Sequence, residues 1–145
     1  MPDFIETGYV SDTFISKQRA IERLISDYHR FGRIIVAYDF DDTVVPQNGE
    51  NCSYVVELLQ ECSKIDTIAM VCFTCRSSND ELMEVRRNLD RLEIRWDRIN
   101  DNVEGCPFET SRKILYSIFL DDRAGLSAAY ETLVGFLKWY YEEVA

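Results

Sequence analysis

Histidine is nearly absent from this sequence, and its scarcity narrows the chemistry open to the chain. The one histidine is His29. A Ser-His-Asp triad or a histidine-rich zinc site needs this residue type at the reacting centre. His29 falls at the end of a predicted helix, where a partly exposed surface residue is the favoured interpretation. Catalysis through histidine is therefore not expected.

Positive charge is also scarce, since 16 lysines and arginines stand against 26 aspartates and glutamates, a formal net charge of −10. A surface this acidic repels nucleic acid and anionic membranes. A bound cation can still reverse the charge locally. Nucleic acid and membranes are therefore not the expected partners.

Long apolar runs and a secretory leader are missing as well. The nearest candidate for a membrane span, LVGFLKWYY, is interrupted by Lys138. The opening residues, MPDFIETGYVSD, have no basic segment followed by an apolar one, so we do not expect a secretory signal. The cysteines number five, an odd count that favours reduced thiols. We expect a cytoplasmic protein.

Cys72 and Cys75 form a CxxC pair, a spacing found in zinc and redox sites. The pair ends a strand-like run, in which side chains three positions apart tend to point to opposite faces. The sequence offers no second CxxC and no histidine pair to complete a zinc site. Buried structural thiols are therefore favoured over a metal or redox centre.

Apolar periodicity predicts helices that alternate with short, β-branched strands. Helices are predicted over residues 11–31, 52–64, 78–92 and 126–141. Strands are predicted over residues 33–38, 67–73 and 114–120, with a less regular one near 93–99. The alternation indicates an α/β three-layer sandwich, with helices on both faces of a central parallel sheet.

Two local signals refine these boundaries. Ser78 and Glu81 match a capping box at the start of the third helix. Pro46 and the pair Asn48-Gly49 mark turns, and the Asn-Gly pair could close a small hairpin.

The stretch YDFDDTV places three carboxylates, Asp39, Asp41 and Asp42, directly after the apolar run IIVAY. Each could be an ordinary turn residue. Alternatively, a cation lies there, because the carboxyl ends of parallel strands are where such folds bind ligands.

Other polar residues fall at equivalent places along the chain. Thr74 follows the second predicted strand, and Asp121 and Asp122 follow the last one. Thr74 could merely end its strand, and the acidic pair could cap the final helix. These separate roles do not explain why all of them reach one edge of the sheet.

The chain resembles the haloacid dehalogenase superfamily of aspartate-nucleophile phosphatases through four motifs. The first motif, apolar residues followed by DxDxT, is similar to IIVAYDFDDTV, and the second, an apolar strand ending in Thr or Ser, is similar to AMVCFT. The third is a lysine, which Lys113 in SRK fits. The fourth, an apolar strand ending in paired acids, is similar to SIFLDD. DxDxT by itself arises easily by chance, whereas all four in order are specific.

The resemblance covers about residues 33–141 and implies one HAD-like, Rossmannoid domain over 1–145. Residues 1–32 would be an N-terminal helical extension, and residues 33–145 the catalytic core. FTCR and SRK…FLDDR further resemble a subgroup of compact hydrolases. Many superfamily members carry glycine where Asp42 stands, and active members also depart there. The gaps after Thr43 and between Thr74 and Lys113 leave no room for a cap domain, which implies an open site.

The resemblance implies a Mg²⁺-dependent phosphomonoester hydrolase that forms an aspartyl-phosphate. Asp39 would be the nucleophile, and Asp41 the general acid and then the general base. The carboxylates of Asp39 and Asp121 and the backbone carbonyl of Asp41 would hold Mg²⁺. Asp122 would act through a bound water or orient its neighbours.

The same resemblance implies the contacts to the phosphoryl group. Thr74 and the backbone amides beside it, including that of Cys75, would donate hydrogen bonds, and Lys113 would neutralise both nucleophile and phosphate. Arg112 could take the place of Lys113. Arg76 could either reach the substrate or lock an acidic residue.

Arg123 and Asn100 are secondary candidates, the first favoured for structural salt bridges and the second for the lining of the site. An open site admits a phosphorylated small molecule or an exposed phosphoester of a macromolecule. The aromatic-rich last helix, with helix 11–31, could form a homo-oligomer interface.

Two other classes stay open. A phosphoacceptor signalling module, such as a receiver domain, also gathers acids, Thr and Lys, but its acidic pair comes first in the chain rather than last. The other class is a non-catalytic binding protein with the HAD-like fold.

Overall fold

Eight helices and strands follow one another in the computed structural model, which describes residues 16–106 and 113–145. The helices are α1 (Lys17–Phe31), α2 (Ser53–Ser63), α3 (Asn79–Arg91) and α4 (Leu126–Glu143). The strands are β1 (Ile34–Asp39), β2 (Ile68–Phe73), β3 (Arg98–Ile99) and β4 (Ile118–Leu120). The first part of the helix predicted over 11–31 lies outside the described residues.

All four strands are parallel and form one sheet in the order β3-β2-β1-β4. β1 pairs with β2 over its whole length, ending with Asp39 opposite Phe73. β4 lies on the other side of β1, with Tyr38 opposite Leu120. The chain therefore moves outward from β1 to β3 and then returns to the other side of β1. Open parallel sheets bind ligands at such a reversal, beyond the carboxyl ends of the strands.

The two faces of the sheet carry different layers. Even-numbered strand residues such as Tyr38 and Met70 enter the main core together with side chains of all four helices. Odd-numbered residues such as Ala37 pack against the crossover from β3 to β4, through Val103 and Tyr116. The α/β three-layer sandwich with a central parallel sheet is confirmed. Within the described residues, the layer opposite the main core is formed by the crossover from β3 to β4. Residues 107–112 of this crossover lie outside the described residues.

β3 is shorter than predicted. The residues before it bind the beginning of β2 and the turn that precedes β2, partly through side chains, and do not extend the regular strand pairing. The Asp97 N–H donates to the carbonyl of Met70 (2.8 Å), and the Asp97 carboxylate accepts the Met70 N–H (2.7 Å). The guanidinium of Arg95 donates to the carbonyls of Ile65 and Ile68. These side-chain contacts between distant segments leave no periodic signal in the sequence.

β4 is also shorter than the predicted run 114–120. The Leu115 N–H donates to the side chain of Asn102 (2.7 Å), and Ser117 bonds to Ile35 through both its N–H and its hydroxyl. Residues 114–116 are therefore held over the face of the sheet. Their apolar character reflects packing on that face rather than strand formation.

The N-terminal helix belongs to the same hydrophobic core as the sheet. Leu24 is buried in the main core, and the ring of Tyr28 packs against Phe136 and Trp139 of α4. α1 ends at Gly32 (φ 73°), a backbone conformation that favours glycine. No helix within residues 16–106 and 113–145 is both long and apolar enough to cross a membrane.

Gly135 of α4 faces Ile21 of α1, and the lack of space for a side chain there gives a stability prediction. A Cβ on Gly135 would lie 2.3 Å from Cδ1 and 2.9 Å from Cγ1 of Ile21. Glycine to alanine inside a helix normally stabilises by about 1 kcal/mol. Because the added methyl overpacks this contact, we expect Gly135→Ala instead to lower the free energy of unfolding by roughly 1–3 kcal/mol in urea denaturation.

Ile21→Ala removes the atoms that the new methyl would meet. In that background Gly135→Ala should be neutral or stabilising. An equal loss of stability in both backgrounds would contradict this account of the contact between α1 and α4.

Candidate functional site

Three carboxylates from two adjacent strands meet at the carboxyl edge of the sheet. Asp39 is the last residue of β1, and Asp121 and Asp122 directly follow β4. One carboxylate oxygen from each residue lies within 4.8 Å of the others. β1 and β4 are neighbouring parallel strands, so their ends coincide where the strand order reverses. We call these three residues the acidic cluster.

Burial and the neighbouring negative charges raise the pKa of Asp39. Burial, and next the charge of Asp121, raise this pKa from 3.8 to about 7. Asp122 acts in the same direction, whereas a hydrogen bond from the Phe40 N–H lowers the pKa. Carboxylates this close repel one another, and a proton or a cation between them relieves that repulsion. Their oxygens are the ligands that Mg²⁺ prefers.

Thr43 ties the two strand ends together. Its side chain is fully buried, and its hydroxyl accepts the N–H of Asp122 (3.0 Å). The same hydroxyl lies 3.3 Å from Oδ2 of Asp39 and 3.4 Å from Oδ1 of Asp122, so it can donate to either carboxylate. In the sequence, Thr43 stands out only as the last residue of the DxDxT motif, because its partner Asp122 is 79 positions away. Thr43 is therefore a site residue that sequence reasoning missed.

Asp42 anchors a loop instead of joining the acidic cluster. Its carboxylate accepts the N–H groups of Gln47 (2.7 Å) and Asn48 (3.0 Å) and the side-chain amide of Asn48 (2.6 Å). The two backbone bonds are the main cause of a lowered pKa for Asp42. Residues 46–50 contain no strand, so the hairpin predicted at Asn48-Gly49 is wrong. Asp42 has φ 60°, a backbone conformation that favours glycine.

Thr74 is clamped by Asn100. The Asn100 side chain donates to the carbonyl of Thr74 (2.8 Å) and accepts its N–H (2.8 Å). The Asn100 N–H donates to the carbonyl of Cys72 (2.9 Å). The Thr74 hydroxyl accepts the N–H of Arg76 (3.1 Å). The amides of Thr74 and Arg76 are thus already used within the chain, and Asn100 shapes the loop that follows β2.

Asp41 is paired with Arg76. The Arg76 Nε donates to Oδ2 of Asp41 (3.2 Å), and Nη2 donates to Oδ1 (2.9 Å). Nη1 donates to Oε2 of Glu84 on α3 (3.2 Å). The sequence left two roles open for Arg76, contact with the substrate or an ion pair with an acidic residue. The structure contains the ion pair.

Two further cations considered from the sequence, Lys113 and Arg123, are exposed. Lys113 is the first described residue after the segment 107–112, and Arg112 belongs to that segment and lies outside the described residues. Arg123 donates its backbone N–H to Oδ1 of Asp121 (2.7 Å). Within residues 16–106 and 113–145, neither Lys113 nor the Arg123 side chain forms an ion pair within 4.0 Å, so the salt bridges favoured for Arg123 are absent there.

The two cysteines of the CxxC pair have different surroundings. Cys72 is buried in the main core, and burial raises the pKa of its thiol to about 12. Cys75 is exposed beside Thr74. The prediction of buried structural thiols is confirmed for Cys72 and wrong for Cys75, because β2 ends between them and the chain turns outward.

Comparison with known proteins adds to the fold. No family model matches the chain, and no curated protein matches it. The structure of a conserved protein coded by a locus of Bacteroides thetaiotaomicron is similar, with a TM-score of 0.52 and 23% sequence identity. The similarity covers 63% of this chain and 77% of that chain. It supports the α/β fold and carries no information on activity.

The tie made by Thr43 can be tested by removing its hydroxyl. Thr43→Val leaves the Asp122 N–H without its acceptor, so we expect the free energy of unfolding to fall by about 1–3 kcal/mol. Hydrogen exchange of the Asp122 amide should also accelerate. Thr43→Ser, which keeps the hydroxyl, should preserve most of the protection of this amide.

Thr132→Val is the matched control for this substitution. Thr132 is buried in α4, and its hydroxyl donates to the carbonyl of Ala128 (2.8 Å) in the same helix. If Thr43→Val left exchange at Asp122 as slow as Thr132→Val does, the tie between the strand ends would be excluded.

The raised pKa of Asp39 predicts how stability changes with pH when no metal is present. Between the ordinary value of 3.8 and about 7, the folded protein binds more protons at Asp39 than the unfolded chain does. Stability should therefore decrease as the pH rises through this window. Asp39→Asn removes that contribution, so its melting temperature in chelator should decline less from pH 5 to pH 8 and exceed the wild-type value at pH 8.

Asp42→Asn makes the same chemical change at a carboxylate whose pKa is lowered. That residue stays ionised from pH 5 to pH 8, so this variant should keep the wild-type slope. A wild-type slope in Asp39→Asn as well would mean that Asp39 does not carry the excess proton.

Proposed function

We propose that this protein is a Mg²⁺-dependent phosphomonoester hydrolase of the haloacid dehalogenase type. The observation that carries the proposal is the meeting of Asp39, Asp121 and Asp122 where the strand order of a parallel sheet reverses. The ordered resemblance of four motifs to that superfamily supports it. A divalent cation at the acidic cluster would offset the repulsion between its three carboxylates.

The donor set fits Mg²⁺. It consists of carboxylate oxygens, the hard ligands that this ion selects, and the thiol of Cys72, on β2, is buried in the main core. Asp39 and Asp121 would hold the ion with their carboxylates and Asp41 with its backbone carbonyl. Asp122, oriented by Thr43, would complete the site directly or through a water. The bound ion would supply charge neutralisation for an otherwise repelled nucleophile and phosphate.

Asp39 is the proposed nucleophile. One of its carboxylate oxygens forms a bond to phosphorus while the bond from phosphorus to the leaving oxygen breaks. Asp41 gives its proton to the leaving oxygen. It then takes a proton from the water that cleaves the aspartyl-phosphate, which restores both carboxyl groups.

The phosphoryl group would be held from the β2 side and by Lys113. The hydroxyl of Thr74 and the backbone amide of Cys75 are the proposed donors, since the Thr74 N–H is taken by Asn100. Lys113 would balance the charge of nucleophile and phosphate. The segments after β1 and β2 hold no separate domain within the described residues, which favours an open site.

The substrate class that fits such a site is a phosphorylated small molecule or an exposed phosphoester. Cytoplasmic location is proposed from the five cysteines, which are all free thiols. A homo-oligomer through α1 and α4 stays a prediction.

The proposal is tested by a phosphatase assay on an aryl phosphate with Mg²⁺. Asp39→Asn should abolish turnover without loss of the fold, because an amide is not a competent nucleophile. Lys113→Ala should slow the reaction by roughly two orders of magnitude, the usual effect of losing one charge stabiliser. Asp42→Asn, matched in chemistry to Asp39→Asn, should keep activity within about tenfold, because it alters only the loop anchor.

Other outcomes point to the competing classes. Absence of wild-type turnover on a broad phosphoester panel with Mg²⁺ would favour a binding protein. An acyl phosphate stable enough to isolate would favour a signalling module.

A further inference from the structure

We propose that Arg76 is a positioning residue, which holds the carboxyl group of Asp41 in the orientation needed to protonate the leaving group. This proposal rests on the function proposed above. It replaces the expectation that Arg76 binds the phosphate of the substrate. Nothing in the motif pattern distinguishes these two roles, whereas the contacts of the guanidinium do.

The guanidinium of Arg76 binds carboxylates of the chain through all three of its nitrogens. Two of its nitrogens bind the two oxygens of Asp41 at 3.2 and 2.9 Å, in the paired geometry that only a planar guanidinium provides. The third nitrogen binds Glu84 at 3.2 Å. A substrate phosphate that took the paired contact with Nε and Nη2 would have to displace Asp41. Arg76 is therefore better suited to orient Asp41 than to receive the substrate.

The position of Arg76 is itself held from several directions. Its side chain is 21% exposed, and its guanidinium carbon lies 5.2 Å from the ring centre of Phe40. Its backbone N–H is bound by the Thr74 hydroxyl (3.1 Å). Glu84 adds a contact from α3. The pair thus joins the loop after β1 to the loop after β2, with α3 as a support.

Arg76 holds the side chain of Asp41, whereas the two neighbouring acids have other partners. Asp39 lies in the acidic cluster, and Asp42 is fixed by Gln47 and Asn48. Proton transfer requires the carboxyl group within hydrogen-bond reach of the leaving oxygen, and a misplacement of about 1 Å can cost a hundredfold in rate. A lysine at position 76 would keep the charge but lose the paired geometry.

The test compares two substrates that share the phosphate but differ in the leaving group. p-Nitrophenolate departs without a proton, whereas the alkoxide of a simple alkyl phosphate needs one. The quantity measured is kcat/KM, which covers only the steps up to phosphoryl transfer and so excludes hydrolysis of the aspartyl-phosphate. In the ratio of kcat/KM for aryl over alkyl phosphate, any common contribution of phosphate binding cancels.

We expect Arg76→Lys to raise this ratio roughly tenfold or more, through slower reaction of the alkyl phosphate. Asp41→Asn should raise the ratio as well, and the double variant should show little further change, because both substitutions act through one group. Glu84→Gln, at a residue with a 61% exposed side chain, should shift the ratio in the same direction by less. This variant keeps the test valid if Arg76→Lys folds poorly.

Arg123→Ala is the charge-matched control, because it removes a cation from the same edge without touching Asp41. It should leave the ratio unchanged. An unchanged ratio in both Arg76→Lys and Glu84→Gln, with both substrates slowed equally, would show that Arg76 acts on the phosphate and overturn the proposal. Additive effects of Arg76→Lys and Asp41→Asn would also overturn it. Absence of turnover in the wild-type protein would instead overturn the proposed function, and this inference with it.

Discussion

Repulsion between carboxylates at the tips of two neighbouring strands is the constraint on which this structure depends. Parallel pairing of β1 with β4 brings Asp39 next to Asp121 and Asp122, and the buried core beneath them holds the strands together despite the charge. Burial, and next the charge of Asp121, raise the pKa of Asp39 to about 7. Thr43 offsets part of the repulsion by bonding to both strand ends. A divalent cation between the oxygens would offset far more, which is the basis of the proposed metal-dependent reaction.

Three identical side chains within four positions acquire three different environments. Asp39 is half-buried among other acids, Asp41 is paired with an arginine, and Asp42 is bound by the amides of its own loop. Their chemistry is therefore set by partners rather than by residue type. In the proposed reaction this separation provides a nucleophile, a proton donor and a loop anchor from one short stretch.

Local signals predicted the elements well and their extent less well. The capping box of Ser78 and Glu81 is present, because it involves only neighbouring residues. β3 and β4 are shorter than their apolar runs. Residues 114–116 pack flat on the sheet, and the segment before β3 is held by Asp97 and Arg95. A run of apolar residues indicates that a segment is buried. The run looks the same whether the segment is a strand of the sheet or packs against one face of the sheet.

The sequence by itself determined the α/β class and placed carboxylates after the first and last strands, because alternating apolar periodicity and the residues that end each strand are local properties. Only the tertiary structure decided that β4 lies beside β1, so that Asp39 meets Asp121 and Asp122. It also decided which partner each acid receives, through contacts such as Arg76 with Asp41 and Asn100 with Thr74. These contacts join residues far apart in the chain. Their geometry depends on the strand order and on the shape of the loops, which no short stretch of sequence encodes.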